Sequence, residues 1–230
     1  MIGIIGAMKV EVDTVEALME NKEEKEIAGR RFVKGTLGGK EIVTAVCGIG
    51  KVAAAICTQA MIMEYKPECI INTGVGGSLS TRLNICDVLI GETLVQHDMD
   101  TSPIGDPLGF ISGINLVYIP ADKKVNECLV KSAEATGEGK VFTGRIASGD
   151  QFIADPAKKD FIVKNFEAEV CEMEGASIAQ TCYSNSVPFG VVRAISDCAD
   201  GSSHMDYTEF LPVAAANAAK IICNFVKFYN

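Results

Sequence analysis

Two rhythms of apolar and polar positions take turns along this chain. Residues 2–6 (IGIIG) form a short unbroken apolar run, the pattern of a strand buried on both faces. Residues 10–21 place apolar side chains at 10, 12, 15, 18 and 19, with acids between them. That is a helical stripe with carboxylates in its first turn, where the helix dipole favours them. Residues 31–37 and 40–47 are extended stretches joined by Gly38-Gly39, a hairpin signal. Residues 51–65 read as a helix that ends before Pro67. Residues 69–73 read as a second buried strand, running into the glycine-rich GVGGS at 74–78. Further strands are predicted at 87–95, 115–119, 141–147 and 190–196, and helices at 123–136, 156–166 and 174–183. Asp206 and Glu209 have capping-box spacing before a long helix reaching about Phe228. Pro212 fits that helix only if it starts late or kinks. Strands alternating with helices predict one α/β domain over residues 1–230, with helices on both faces of a sheet that the hairpin makes mixed.

Composition narrows the function. Asp and Glu number 30 against 21 Lys and Arg, so the net charge is -9. Such a surface disfavours nucleic acid and anionic membranes as partners. The nine cysteines have no CxxC or zinc spacing and read as reduced thiols of a cytoplasmic protein. No metal or organic cofactor is expected. The N-terminus lacks the basic start of a signal peptide.

Glycine turns after buried strands invite nucleotide-binding readings. GIGK at 48–51 is not a phosphate loop, because Ala45 and Val52 stand where that motif needs a glycine and a hydroxyl residue. GIIGAM is not GxGxxG. Three such turns still mark strand ends, where α/β sheets bind ligands. In AEVCEMEGASIAQ, Glu172 and Glu174 flank Met173, and a solvated charge pair is the plain reading. Arg193, however, lies inside a run that should be fully buried, and a buried arginine needs a carboxylate partner. Glu174 and Glu11 are the candidates. Asp197 follows Ser196 at the end of the same strand. His97 and His204 stand alone, without ligand spacing. Phe152 could be core or a stacking face for a planar ring. Met8 and Met173 would suit an apolar or thioether substituent if they lie near a ligand.

The ordered set IGIIGAM with Glu11, GIGKVAAA, INTGVGGS, HDMD, ASGDQF, EMEGASIA and RAISDCAD resembles the 5′-methylthioadenosine/S-adenosylhomocysteine nucleosidases of the nucleoside phosphorylase-like superfamily, over essentially the whole chain. The resemblance implies a three-layer α/β/α sandwich around a mixed twisted sheet, and a homodimer. It implies hydrolysis of the N-glycosidic bond of a small 5′-thioadenosine substrate. Asp197, held by Ser196, would protonate the purine N7. Glu174 would hold the ribose hydroxyls, with Met173 beside the sugar. Glu11, with Arg193 nearby, would bind and deprotonate the attacking water. Phe152 would stack on adenine, the Ile153 backbone would read its edge, and Gly77 would lie at the ligand. Met8, Ile49 and Tyr207 would line the 5′-thio pocket, closed by Thr101 and Ile104 from the partner subunit. Val75 departs from the serine that many relatives carry near the water and ribose.

The chemistry asks for these groups. Breaking the bond builds positive charge on the ribose and negative charge on the base. Protonating N7 makes adenine a neutral leaving group, which requires a carboxyl kept protonated at neutral pH. The rival readings are a phosphorolytic purine nucleoside phosphorylase, a hydrolase of aminodeoxyfutalosine, and a nucleoside-binding protein on the same fold. Phosphate wants clustered cations, and only Lys9 stands near Glu11 at the first turn. Glu11, Glu174 and Asp197 together argue against a mere binder.

Overall fold

The side chains of β1 (Ile2–Gly6) divide between two layers. Ile2 and Ile4 pack into a cluster with Val15, Leu129, Ile222 and Phe225. Ile5 points into the opposite cluster, with Ala54, Cys57, Met61 and Ile178. Period-two alternation in one fully buried strand thus builds a core on each face. In the computed structural model, residues 1–199 and 203–229 are described, and for 203–207 the backbone alone.

One face carries α1 (Lys9–Leu18), α3 (Lys123–Glu134) and α6 (Ser203–Phe228). The other carries α2 (Lys51–Tyr65) and α5 (Gly175–Ser184), which pack on each other. A sixth helix, α4 (Pro156–Phe166), covers a smaller cluster of Leu79, Val95, Ala147, Ile153, Ile162 and Phe166. By length and composition, residues 208–228 could cross a membrane. Here Ala214, Ala218, Ile221, Ile222, Phe225 and Val226 of that stretch are buried in the protein's own core.

The sheet is mixed, as expected, with helices on both sides. β1 lies between β4 (Lys40–Val46) and β5 (Cys69–Ser78), parallel to both. β3 (Arg30–Leu37) forms the foreseen hairpin with β4, and β2 (Glu20–Ile27) adds an antiparallel edge. On the other side the sheet closes on itself, which the sequence reading did not foresee. β5 pairs with β10 (Phe189–Asp197), β10 with β6 (Val88–Gln96), β6 with β8 (Val141–Ser148), β8 with β9 (Val170–Glu172), and β9 with β5 again.

Four local expectations are corrected. The first helix stops at Leu18, and the polar run ENKEEKEI that follows is strand β2. β2 was missed because its side chains are nearly all exposed and carry no apolar alternation; charged edge strands resist further pairing. GVGGS is not a turn but the second half of β5. Residues 115–119 supply only the two-residue β7 (Ile119–Pro120). The last helix begins at Ser203 and runs through Pro212, so it does not start late. The capping-box side chain of Asp206 lies outside the described residues.

β5 is the element that makes room for a site. β10 follows one of its edges from Ile70 to Gly77. The other edge is shared, with β1 along residues 69–72 and β9 at Gly77 and Ser78. Between β1 and β9, residues 73–76 have no strand beside them on that edge among the described residues. The pocket opens at that split.

Candidate active site

The cavity has a volume of about 400 Å³. It is lined from the ends of β5, β9 and β10, from the first turn of α1, and from the turns after β1, β4, β8 and β9. Of the residues named from the sequence, Met8, Glu11, Ile49, Gly77, Phe152, Ile153, Met173, Glu174, Ser196 and Asp197 all line it. So does Val75. Arg193 is entirely buried behind the wall. Thr101 and Ile104 sit at a short 3-10 turn (Ser102–Ile104) and do not line this cavity. Ile104 is 82% exposed. The side chains of Tyr207 and His204 lie outside the described residues.

Glu11 sits in the first turn of α1. Its Oε2 accepts from the Ala7 and Met8 N–H groups at 2.7 and 2.9 Å, satisfying the helix's own N-terminus. Its Oε1 accepts from the Val75 N–H at 3.2 Å, on the open edge of β5. Burial pushes its pKa above the usual carboxylate range, opposed by the Met8, Val75 and Ala7 hydrogen bonds and by the Arg193 charge. A base poised above the ordinary range is better matched to neutral pH.

The glycines of β5 are there for close approach. A Cβ at Gly74 would come within 2.7 Å of Glu11 Oε1. One at Gly77 would come within 2.9 Å of Asp197 Oδ1. At Gly76 it would meet Val170 at 2.6 Å.

Asp197 ends β10, one residue beyond a register shift opposite Gly76–Gly77. Such a bulge re-aims the side chain that follows it. Ser196 Oγ donates to Asp197 Oδ2 at 3.0 Å, and the Ala199 N–H donates to Oδ1 at 2.9 Å. The expected contact from Ser196 is present.

The partner of Arg193 is neither Glu174 nor Glu11. Arg193 Nη2 donates to Glu172 Oε2 and to Asn72 Oδ1. Nη1 donates to the Val192 carbonyl at 3.0 Å. Glu172 wins because β9 and β10 flank β5 on opposite edges, so its carboxylate meets the guanidinium across that strand. Glu172 Oε2 also accepts from the N–H groups of Glu174 and Gly175 at 3.1 and 2.7 Å. Ser148 donates to its Oε1. The solvated-pair reading of Glu172 and Glu174 is therefore corrected: both are buried. Burial works against the Arg193 charge, and Glu172, Glu174 and Glu11 together hold it in place, raising its pKa.

Glu174 caps α5 and accepts from the Gly50 N–H at 2.9 Å. Gly50 turns at φ 97°, so the second glycine of GIGK serves a backbone donor for a carboxylate, not a phosphate. Burial and the neighbouring Glu172 charge push Glu174 up to about 7. A carboxyl raised on folding binds its proton more tightly in the folded state, so stability falls as pH rises from about 4.5 to about 7. Glu174→Gln is expected to flatten that fall. Urea melts of both proteins at pH 5 and pH 8 measure it; equal slopes would rule out a protonated Glu174.

Apart from Gln151, the remaining wall is largely apolar. Phe152 is 49% exposed at the rim, which excludes the core reading, while Ile153 is buried beneath it. Met8 and Met173 are partly buried. His97 is buried, with burial lowering its pKa, and it packs against Gly149. The sequence reading named Glu172 only as half of a solvated pair, and missed Asn72 and Ser148. A carboxylate closing an apolar run, as in AEVCE, was the one available signal for Glu172.

Residues 1–227 match the family described as the phosphorylase superfamily. The 5′-methylthioadenosine/S-adenosylhomocysteine nucleosidase of Psychromonas ingrahamii is 39% identical over 230 residues, covering 100% of this chain and 99% of that one. The nucleosidase of the same name from Neisseria meningitidis, solved with methylthio-immucillin-A, superposes with a TM-score of 0.95 at 36% identity, covering 98% of each chain. A futalosine hydrolase of Helicobacter pylori superposes with a TM-score of 0.93 at 38% identity, covering 98% of this chain and 97% of that one.

Proposed function

Because this chain belongs to the phosphorylase superfamily, and within it to the 5′-methylthioadenosine/S-adenosylhomocysteine nucleosidases, we propose that its pocket binds a 5′-thioadenosine, with adenine against Asp197 and water against Glu11. The chain is an N-glycosidic hydrolase acting on 5′-methylthioadenosine and S-adenosylhomocysteine. The observation that carries the division of roles is the placing of two carboxyls along β5. Glu11 faces Gly74 and Asp197 faces Gly77. Three residues of strand, about 10 Å, separate those contact points. That span leaves room for a reacting sugar with a water on one side and a leaving group on the other.

Asp197 donates a proton to N7 as the glycosidic bond lengthens. Glu11 takes a proton from the water that attacks the anomeric carbon. Glu174 accepts from the ribose hydroxyls, which favours its ionised form and puts negative charge beside the developing cation. Phe152 stacks on the base, the Ile153 backbone reads its edge, and Gly77 lets the ligand approach. Met8, Ile49 and Met173 form the apolar surface for the thioether and sugar, and binding energy there orients the reacting centre. Glu11→Gln is expected to slow hydrolysis by about 10²–10⁴-fold. Single-turnover release of adenine measures it, and an unchanged rate would remove Glu11 from the base's role.

The carboxylates of Glu11, Glu172 and Glu174 surround one guanidinium already paired with Glu172. A phosphate dianion would be repelled there, which favours water as the nucleophile. Incubation with methylthioadenosine, with and without phosphate, tests this. Free methylthioribose without phosphate supports hydrolysis; a sugar 1-phosphate formed only with phosphate overturns it. The futalosine hydrolase likeness makes an adenine-bearing futalosine a second substrate for the same assay.

The same reading includes a homodimer. On α2, Val52, Ile56 and Met63 are 69%, 44% and 71% exposed and share one helical face. Ile49 at the pocket rim continues that apolar surface at 60% exposed. A partner seated there would bring Thr101 and Ile104 over the pocket mouth. The nine cysteines, with no CxxC or zinc spacing, fit a reducing cytoplasm.

A further inference from the structure

The ladder between β5 and β10 ends with Asp197 opposite Gly77. The next residues are Ser78, the last of β5, and Cys198, just past the end of β10. The Lys159 ammonium, from α4, donates to both of their carbonyl oxygens, at 3.1 Å to Ser78 and 2.6 Å to Cys198. It makes no ion pair among the described residues. A lysine held by two backbone carbonyls acts as a rung where the ladder has run out of N–H donors. Directly beyond, Ala199 adopts φ 48°, a left-handed conformation that costs a non-glycine residue free energy and needs to be held. That same residue gives its N–H to Asp197 Oδ1. Clamp, strained turn and carboxyl are thus consecutive. α4 also starts at Pro156, three residues after the Ile153 wall of the base pocket.

We propose that Lys159 is a positioning residue for Asp197: by clipping the carbonyls of Ser78 and Cys198 it fixes the carboxyl against the wall that receives the purine. The inference rests on Asp197 as the acid. It predicts a loss specific to leaving groups that need a proton. A 1 Å misplacement of a reacting group can cost ~10²-fold in rate.

The test compares two substrates, methylthioadenosine and a 4-nitrophenyl 5-methylthioriboside, whose nitrophenolate departs without protonation. Lys159→Met is expected to lower kcat on methylthioadenosine by about 10- to 100-fold and to leave the nitrophenyl riboside unchanged. Lys159→Arg, which keeps a cationic donor, should recover most of the loss. Equal losses on both substrates, or none on either, would overturn the inference, and a thermal melt of each variant separates a folding defect from the first of these. Asp197→Asn in the same assay checks the premise. If it discriminates between the substrates while Lys159→Met does not, only the positioning role is lost. If Asp197→Asn itself fails to discriminate, the acid assignment falls.

Discussion

Asp197→Asn should leave the protein folded while slowing adenine release by about 10²–10⁴-fold. The substituted amide keeps the size and shape of the carboxyl. Its oxygen can still accept from the Ala199 N–H, and its amino group can donate to Ser196 Oγ, so the local bonds survive in altered polarity. What vanishes is the transferable proton. Adenine must then depart as an anion, and the stabilisation that N7 protonation supplies is missing at the transition state. Adenine release in a single turnover, followed by ultraviolet difference, gives the rate, and a thermal melt within a few degrees of the parent shows the fold. Near-normal turnover would mean that another group protonates the base.

Arg193→Met is expected to act on the fold first. Arg193 is on β10, Glu172 on β9 and Asn72 on β5, so the guanidinium binds together three of the five strands of the closed ring. Removing it leaves the Glu172 carboxylate buried without its counter-charge. Breaking a buried pair in this way costs about 3–5 kcal/mol. For a domain of this size that is a drop in Tm of about 10 °C. The double variant Arg193→Met with Glu172→Gln should recover part of the loss, because the stranded charge is gone. Calorimetric melts of the single and double variants measure the coupling. Additive losses would show that the pair does not hold the ring closed.

Much of this architecture could be read from residue order. The runs 2–6, 69–73 and 190–196 became β1, β5 and β10 because uninterrupted β-branched stretches of that length have few other uses. The hairpin at Gly38-Gly39 was equally plain, since both glycines adopt positive φ. Closure of the sheet was not legible. It depends on β9, a three-residue strand with too little sequence to show any period. The same short strand hid the partner of Arg193. Burial at position 193 demanded a carboxylate, but the choice among Glu11, Glu172 and Glu174 was fixed by strand neighbours, which spacing does not encode. Glycine carried a double meaning at 74–78. It reads as a turn because it permits left-handed backbone, whereas here it keeps extended backbone clear of Glu11, Val170 and Asp197.

That run of glycines limits how the enzyme can diversify. Any side chain added at 74, 76 or 77 collides with a carboxyl or with the neighbouring strand, so along this wall only position 75, already a valine here, is open to drift. Variation is channelled to the mouth, where Ile49 and Phe152 stand half in solvent. Descendants of this chain could therefore swap what hangs from the sugar's 5′ carbon far more readily than they could swap the bond that is cut.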